Sequence, residues 1–237
     1  FSTCNIQGND YIGGLFGEST YSTLNNCYNS GKIVASGDYV GGITGSHYFG
    51  SAIINCYNSD TVSGKYRVGG LAGYAASASV NKSYSTGLVE GVSIVGGLIG
   101  THNNDVSITN SFWDTEKSYQ STSTGGTGKT TAQMKNIATY TDVSTVGLSE
   151  AWDFVGTPNN DTGIEDFWGM DASVNSGYPF LFWQCCGTSA GEVHPSLTDP
   201  IFPPQILNDP ENKDVCLLAG TSFHVEPVNY DDETEYK

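Results

Sequence analysis

The chain repeats one short motif four times in its first half: IGGLFG at residues 12–17, VGGITG at 40–45, VGGLAG at 68–73 and VGGLIG at 95–100. The glycine pairs recur at spacings of 28, 28 and 27 residues, and each pair follows a β-branched residue. A nearly constant period of this length indicates a repeat architecture. The glycines that we assign as repeat-structural are Gly13, Gly14, Gly17, Gly41, Gly42, Gly45, Gly69, Gly70, Gly73, Gly96, Gly97 and Gly100.

A second element follows each glycine pair and ends in an aromatic residue: LNNCY at 24–28, IINCY at 53–57, VNKSY at 80–84 and ITNSF at 108–112. In coils stacked about 4.8 Å apart, equivalent residues form ladders. We therefore predict an aromatic ladder of Tyr28, Tyr57, Tyr84 and Phe112. We interpret this ladder as core rather than as an exposed platform, because phenylalanine has no polar tip to keep hydrated.

Each repeat offers about three short strands, separated by Gly, Asn and Ser residues that favour turns. Strands this short cannot bury a face alone, whereas stacked coils share a continuous core. The predicted fold is therefore all-β. It is a parallel β-solenoid (β-helix) of about four 28-residue coils with an aromatic C-terminal cap, followed by a partial β-sandwich-like tail.

Composition divides the chain into three segments. Residues 1–112 hold the repeats. For residues 113–186 we predict a closing loop, a short helix within 130–137, a last strand at 178–183 and an aromatic cap over the open end of the solenoid, because an uncovered end exposes unpaired strand edges. Residues 187–237 are acidic and Pro-rich, which is typical of a linker. They lead into a partial immunoglobulin-like domain, a strand donated to another chain, or a disordered segment.

The second half of each motif is similar to a known repeat. The sequences GLFG at 14–17, GITG at 42–45, GLAG at 70–73 and GLIG at 97–100 resemble the GLUG repeat of bacterial surface and adhesin-like proteins. The resemblance covers residues 4–112, and a closing segment to about residue 184 resembles the one that often ends such arrays. It implies an exported, surface-attached module of bacterial type, and it implies no catalytic chemistry.

The charge balance excludes several partner classes. Nine Lys and Arg residues against 25 Asp and Glu residues leave a net charge of −16, which repels nucleic-acid phosphates and anionic lipids. The sequence has no run of 18 apolar residues, so we expect no membrane insertion. The expected partners are other copies of the chain, adjoining domains of a longer surface protein, or a glycan or host-surface ligand.

No pattern in the sequence predicts catalytic residues or an organic cofactor. The GGTGKT stretch at 125–130 lacks the first glycine of a phosphate loop, because Ser123 stands at that position. His47 and His102 occupy equivalent loops, where we expect solvated side chains. Calcium is the one metal that we consider, because it takes oxygen ligands from flexible loops. The candidate ligands are Asp161, Glu165, Asp166, Asp209 and Asp214.

The cysteines suggest two different environments. Cys4, Cys27 and Cys56 are aligned in one repeat column that continues as serine, so we predict small buried thiols there. An exported protein meets an oxidising setting, in which a disulfide from Cys216 to Cys185 or Cys186 would tie the tail to the cap.

Two functional hypotheses follow. The first is a non-catalytic structural or adhesive module at the cell surface, with a variant in which coil ends or donated tail strands build a filament. The second is a carbohydrate-active β-helix that binds or cleaves polysaccharide. Cleavage by hydrolysis would need paired carboxylates. The acidic residues of the repeats occupy non-equivalent positions, which disfavours cleavage.

Overall fold

The computed structural model describes residues 1–103, 105–155 and 167–185, and it confirms the parallel β-solenoid. The described solenoid has four coils of five short strands each. Coil 1 contains β1 (Ile6–Gly8), β2 (Ile12–Gly13), β3 (Phe16–Thr20), β4 (Thr23–Asn25) and β5 (Tyr28–Asn29). Coil 2 contains β6 (Ile33–Ala35), β7 (Asp38–Gly41), β8 (Thr44–Tyr48), β9 (Ala52–Ile54) and β10 (Tyr57–Asn58). Coil 3 contains β11 (Val62–Ser63), β12 (Tyr66–Gly69), β13 (Ala72–Ala76), β14 (Ser79–Asn81) and β15 (Tyr84–Ser85). Coil 4 contains β16 (Val89–Glu90), β17 (Ser93–Gly96), β18 (Ile99–His102), β19 (Ser107–Thr109) and β20 (Phe112–Asp114).

Equivalent strands of successive coils pair in parallel, and among the described strands they form five sheets along the solenoid. We number the sheets by their strands in coil 1, so sheet 1 holds β1, β6, β11 and β16, and sheet 5 begins at β5. Five strands per coil replace the predicted three, because left-handed corner residues divide each coil further. These corner residues form three columns: Tyr11, Tyr39, Arg67 and Ile94; Tyr21, Phe49 and Ser77; and Asn26, Asn55, Lys82 and Asn110.

The motif glycines permit close packing between parts of a coil, and none of them has a positive φ. A Cβ atom built on Gly42 would lie 2.3 Å from Asn58 Cγ and 2.3 Å from the carbonyl oxygen of Gly70. Gly14 faces Asn29 in the same way, and Gly97 faces Trp113. The glycine pair is therefore the place where the backbone contacts a side chain of sheet 5 across the coil.

This contact divides the interior into two apolar clusters. One cluster lies between sheets 1 and 2 and is built mainly from valines such as Val40 and Val68. The other includes Ile43 and Leu71 together with residues of sheet 4. Asn29 and Asn58 are buried beside the glycines, and Asn29 Nδ2 donates to Asn58 Oδ1 at 2.9 Å, so their amides hydrogen-bond coil to coil.

The stretch from residue 113 to 130 differs from the predicted loop. It contains α1 (Thr115–Ser118) and β21 (Thr127–Lys129), and β21 pairs with β20 at the edge of sheet 5. Gly97 N donates to Thr122 O at 3.0 Å, and Ile99 N donates to Ser123 Oγ at 2.9 Å. The segment is therefore a partial fifth coil, which satisfies backbone groups that coil 4 would otherwise leave unpaired.

Short elements complete the described chain. They are α2 (Thr131–Met134), α3 (Ala138–Thr141), β22 (Trp168–Gly169), a 3-10 turn (Asn175–Gly177), β23 (Phe180–Leu181) and a second 3-10 turn (Phe182–Cys185). The predicted helix within 130–137 is α2, whose Thr130 side chain accepts from Gln133 N in a capping box. The strand predicted at 178–183 is limited to Phe180–Leu181, which pairs antiparallel with β22.

The aromatic C-terminal segment lies along the side of the solenoid, so its predicted position over the open end is wrong. We call residues 134–155 and 167–183 the strap. Trp152 lies 6.1 Å from the Phe112 ring, Trp168 lies 6.2 Å from Tyr57, and Trp183 lies 5.8 Å from Tyr28. The strap thus follows the aromatic ladder from coil 4 to coil 1 and covers it.

The alternation of side chains in sheet 5 explains this arrangement. Cys27 and Cys56 point into the solenoid interior, so the tyrosines that follow them point outward. The four ladder residues lie in register and are at most 8% exposed. An outward column of this size must be covered, since large apolar patches are rare on a solvent-exposed surface.

Candidate ligand face and the other predicted sites

The outer side of sheet 3 carries an exposed group of aromatic residues, which we call the aromatic face. The rings are in contact in one continuous series. The series is Tyr11, Tyr39, Tyr74, Tyr48, Phe49 and Tyr21, with centroids 4.6, 6.0, 5.5, 5.7 and 6.0 Å apart in that order. Tyr11, Phe49 and Tyr21 are 42%, 53% and 83% exposed. These rings therefore offer a ligand several flat apolar surfaces.

Corner geometry positions four of the six rings. Tyr11 and Tyr39 stand at the left-handed position at the start of sheet 2, and Tyr21 and Phe49 stand at the corner after sheet 3. A left-handed residue turns the backbone sharply, so its side chain projects from the edge of the sheet. Tyr74 lies on β13 between the two corners, and its ring contacts rings on both sides.

Charged groups border the aromatic face. The Arg67 guanidinium lies 4.7 Å from the centre of the Tyr39 ring and also pairs with Asp38 at 3.4 Å. Partial burial, the neighbouring tyrosines and Glu18 raise the pKa values of the Tyr11 and Tyr48 phenols. Both phenols are therefore neutral hydrogen-bond donors at physiological pH. Flat rings with hydroxyl donors suit the stacking and hydrogen bonding of sugar rings.

His47 is buried, so the prediction of a solvated loop histidine is wrong at this position. It lies on β8, and Nδ1 is 2.7 Å from Ser19 Oγ. Burial lowers the pKa of His47 to about 4. His102 lies in the same column and is half-buried, and its Nε2 atom is 2.7 Å from the carbonyl oxygen of Thr124. His47 and Ala75 share one column and both face the interior. Their distance from the glycine pairs does not predict this direction.

The cysteine column also needs a correction. Ser2 pairs with Asn29, so Cys4 is equivalent to Gly31 and not to Cys27, and its side chain is exposed. Cys27 and Cys56 are buried and free, as predicted. Phe1 takes the ladder position before Tyr28, with rings 5.1 Å apart and an interplanar angle of 1°.

Several predicted sites lie outside the described residues. They include the calcium candidates Asp161, Glu165, Asp166, Asp209 and Asp214, the tail 187–237, and the cysteines Cys186 and Cys216; nor is the Cys185 side chain described. Within residues 1–103, 105–155 and 167–185, no group of three or more His, Cys, Asp and Glu side chains could hold a metal ion. No helix in that part of the chain is long and apolar enough to cross a membrane.

Lys129 belongs to the GGTGKT stretch and has a structural environment. It ends β21, its Nζ donates to Val146 O at 2.8 Å, and it lies 5.4 Å from the Phe112 ring centre. Asp114 is buried and accepts from Tyr178 Oη at 2.7 Å and from Glu116 N at 2.9 Å. Both charged groups help to attach the closing segment to coil 4.

Comparisons with known proteins give one partial likeness. A curated protein of Evansella cellulosilytica, described as "Putative Gly-rich membrane protein", is 40% identical over 92 residues, which is 37% of this chain. The matched part is 10% of that relative, so the chain spans about a tenth of its length. No family model matches the chain, and no solved structure matches it. The resemblance to GLUG repeats therefore stays a prediction.

Sequence reasoning missed the aromatic face. Its rings come from four different columns of the repeat, so they form no regular spacing along the chain. One signal was available in the motif itself: Tyr11 and Tyr39 stand in equivalent positions directly before the β-branched residue of the first two copies.

Proposed function

We propose that this chain is a non-catalytic structural and adhesive module of an extracellular surface protein of bacterial type. The observation that carries the proposal is the continuous series of six aromatic rings, of which Tyr11, Tyr21 and Phe49 are the most exposed. Aromatic side chains are enriched at binding interfaces because they bury large areas with few rotatable bonds. The aromatic face is thus the contact surface of the proposed module.

The rest of the molecule supports the role of a stiff spacer. Each coil is paired on several sides with the next one, and the strap packs along all four coils. Four coils at about 4.8 Å per coil give a rod about 20 Å long. A surface location agrees with the resemblance to GLUG repeats and with the name of the Evansella cellulosilytica relative.

The proposed ligand is a neutral glycan chain on a host or neighbouring cell. The experiment is binding of the purified chain to a microarray that carries both glycans and extracellular-matrix proteins. The expected result is retention on neutral glycans, which weakens at least tenfold in a Tyr11→Ala/Tyr39→Ala variant. Equal retention of the wild type and the variant would overturn the assignment of the aromatic face.

The second candidate function is a carbohydrate-active β-helix that cleaves the polysaccharide it binds. The same aromatic face favours binding, whereas Asp38, the carboxylate in this region with a described ion pair, is bound to Arg67. Incubation with each retained polysaccharide, followed by an assay of new reducing ends and of unsaturated uronates, separates the two functions. We expect no product, and turnover would establish the second function.

Other copies of the chain are the proposed partners in a filament variant of this role. Stacking of coil ends, or donation of a tail strand from residues 187–237, would build the filament by strand addition. This variant predicts concentration-dependent growth in light scattering and rods in electron micrographs. A monodisperse monomer at high concentration would remove it and leave the adhesive module.

A further inference from the structure

We propose that Cys27 and Cys56 form a disulfide that links coil 1 to coil 2 when the protein meets a thiol-disulfide oxidant. The two residues hold the same position in consecutive coils, because the strands on both sides of them pair in register, β4 with β9 and β5 with β10. Tyr57 N also donates to Cys27 O at 3.0 Å, so the two backbones are adjacent at this point.

The geometry of a parallel ladder fits a disulfide. Neighbouring strands lie about 4.8 Å apart, and the Cα atoms of a disulfide are usually separated by about 4.4 to 6.8 Å. Both side chains point into the same apolar cluster, so their Cβ atoms face the same way. The ladder spacing therefore falls within the range of Cα separations that a disulfide requires.

The two thiols have similar surroundings. Cys27 Sγ contacts Asn25 O at 3.2 Å, and Cys56 Sγ contacts Ile54 O at 3.1 Å, in each case two residues earlier in the chain. Interaction with the Cys56 thiol lowers the pKa of Cys27 to about 7, whereas complete burial raises the pKa of Cys56. Cys27 is therefore the nucleophile, since the thiolate is the reactive form.

The chemistry balances with oxidised glutathione as the oxidant. The Cys27 thiolate attacks one sulfur of glutathione disulfide, which forms a mixed disulfide and releases one glutathione thiolate. Cys56 loses its proton and attacks the Cys27 sulfur, and the second glutathione thiolate leaves. Two protein thiols and one glutathione disulfide thus become one protein disulfide and two molecules of glutathione.

The serines of the same column explain why a substitution of Cys56 should be tolerated. Ser83 Oγ donates to Asn81 O at 2.8 Å, and Ser111 Oγ donates to Thr109 O at 2.7 Å, as the cysteine sulfurs do in their own coils. Cys56→Ser therefore keeps the local hydrogen bond and removes only the bridge. It is the matched control in the following test.

The test is peptide mapping of the full chain, refolded from denaturant in a mixture of reduced and oxidised glutathione so that access to the thiols is not limiting. Trypsin cleaves after Lys32 and Lys65, which places Cys27 and Cys56 on separate peptides. A Cys4→Ser background excludes the other thiol of the first peptide. We expect a linked pair of residues 1–32 and 33–65, which Cys56→Ser abolishes.

Thermal unfolding gives a second readout. The bridge closes a loop of about 30 residues, so oxidation should raise the Tm of the Cys4→Ser chain by about 5–10 °C. The Cys4→Ser/Cys56→Ser chain, which keeps Cys185, Cys186 and Cys216, should show a rise that is smaller by this amount. Complete alkylation of Cys27 and Cys56 in the refolded, oxidised sample, with native circular dichroism, would overturn the proposal. Because neither readout involves a ligand, this result is independent of the proposed adhesive function.

Discussion

Left-handed corner residues fix the path of each coil, and none of those in the three described columns is a glycine. Tyr11, Asn26 and their equivalents adopt φ values near 50°, a conformation that costs about 1–2 kcal/mol for a residue with a Cβ atom. Asn tolerates this conformation best, because its short polar side chain can hydrogen-bond locally. Ile94, with a φ of 59°, is β-branched and is the least suited residue in its column.

Ile94→Asn should therefore stabilise the protein. Ile94 is 45% exposed, so little apolar burial is lost, and we expect a gain of about 1 kcal/mol in urea unfolding. Val92→Asn is the matched control, because Val92 lies two residues earlier, is exposed and has no positive φ, and its effect should stay within about 0.5 kcal/mol. Equal effects of the two substitutions would contradict a strained corner at Ile94.

His47 should make the protein less stable in mild acid. Its folded pKa of about 4 lies below the unfolded value of about 6.5. Between these two values the unfolded chain binds the extra proton, so stability is lost as the pH falls from 6.5 to 4, by about 3 kcal/mol in total. His47→Ala should remove this loss, since Ala75 already occupies the same column.

The measurement for His47 is the free energy of unfolding of both chains at pH 7 and pH 4.5. The other histidines and all carboxylates are common to both chains. The difference between the two chains in how much stability they lose from pH 7 to pH 4.5 therefore isolates His47. An equal loss of stability in both chains would show that His47 is protonated in the folded protein at pH 4.5.

For single residues, the sequence predicted the aromatic ladder and the positions of the glycines. The prediction failed where the direction of a side chain mattered. The ladder followed from the period alone. The burial of His47 depended on which face of β8 it occupies, and a period of 28 residues carries no information on that face. Cys4 was misaligned because the spacing between coils varies from 27 to 29 residues at the ladder.

Each glycine pair lies where a strand of sheet 2 ends and the chain turns toward sheet 3. We expect Gly42→Ala to destabilise the protein by about 3 kcal/mol, because the new methyl group would meet the Asn58 side chain and the backbone of Gly70. Gly8→Ala is the control, because its methyl group would meet only the end of the Ile12 side chain, which can move. Chemical denaturation of both variants checks the prediction, and equal midpoints would contradict it.

The strap is the other element whose role can be tested. Trp168 is fully buried against Tyr57, Tyr84 and Trp152, so Trp168→Ala should cost about 4 kcal/mol. Trp183 is only partly buried at the coil 1 end, and Trp183→Ala should cost less than half of this. A thermal or urea unfolding series checks the order, and a reversed order would contradict the described packing of the strap.

The sequence indicated that the closing segment carries the aromatic residues, yet it could not place them. Whether such a segment closes an end or covers a side depends on the direction of the ladder side chains. That direction is set by the left-handed turn at Asn26 and its equivalents, which changes the alternation between Leu24 and Cys27. No local pattern distinguishes this turn from an ordinary loop.

For the whole molecule, the described residues form a short rod with two different aromatic surfaces. One is the ladder of sheet 5, which the strap covers, and the other is the aromatic face of sheet 3, which is open to solvent. The covered surface stabilises the rod, and the open surface is the proposed contact with a ligand. Low overall charge density agrees with contacts made by rings and hydroxyl groups, since only 14% of the residues are charged.

The most direct test of the aromatic face measures how fast two double variants dissociate from the glycan surface that retains the wild-type chain. One variant is Tyr39→Ala/Tyr74→Ala on the aromatic face, and the control is Tyr66→Ala/Tyr119→Ala, two tyrosines outside it. We expect the first variant to dissociate at least tenfold faster while its circular dichroism spectrum stays native, and the control to bind as the wild type does. Equal binding by all three proteins would contradict the proposed role of the aromatic face.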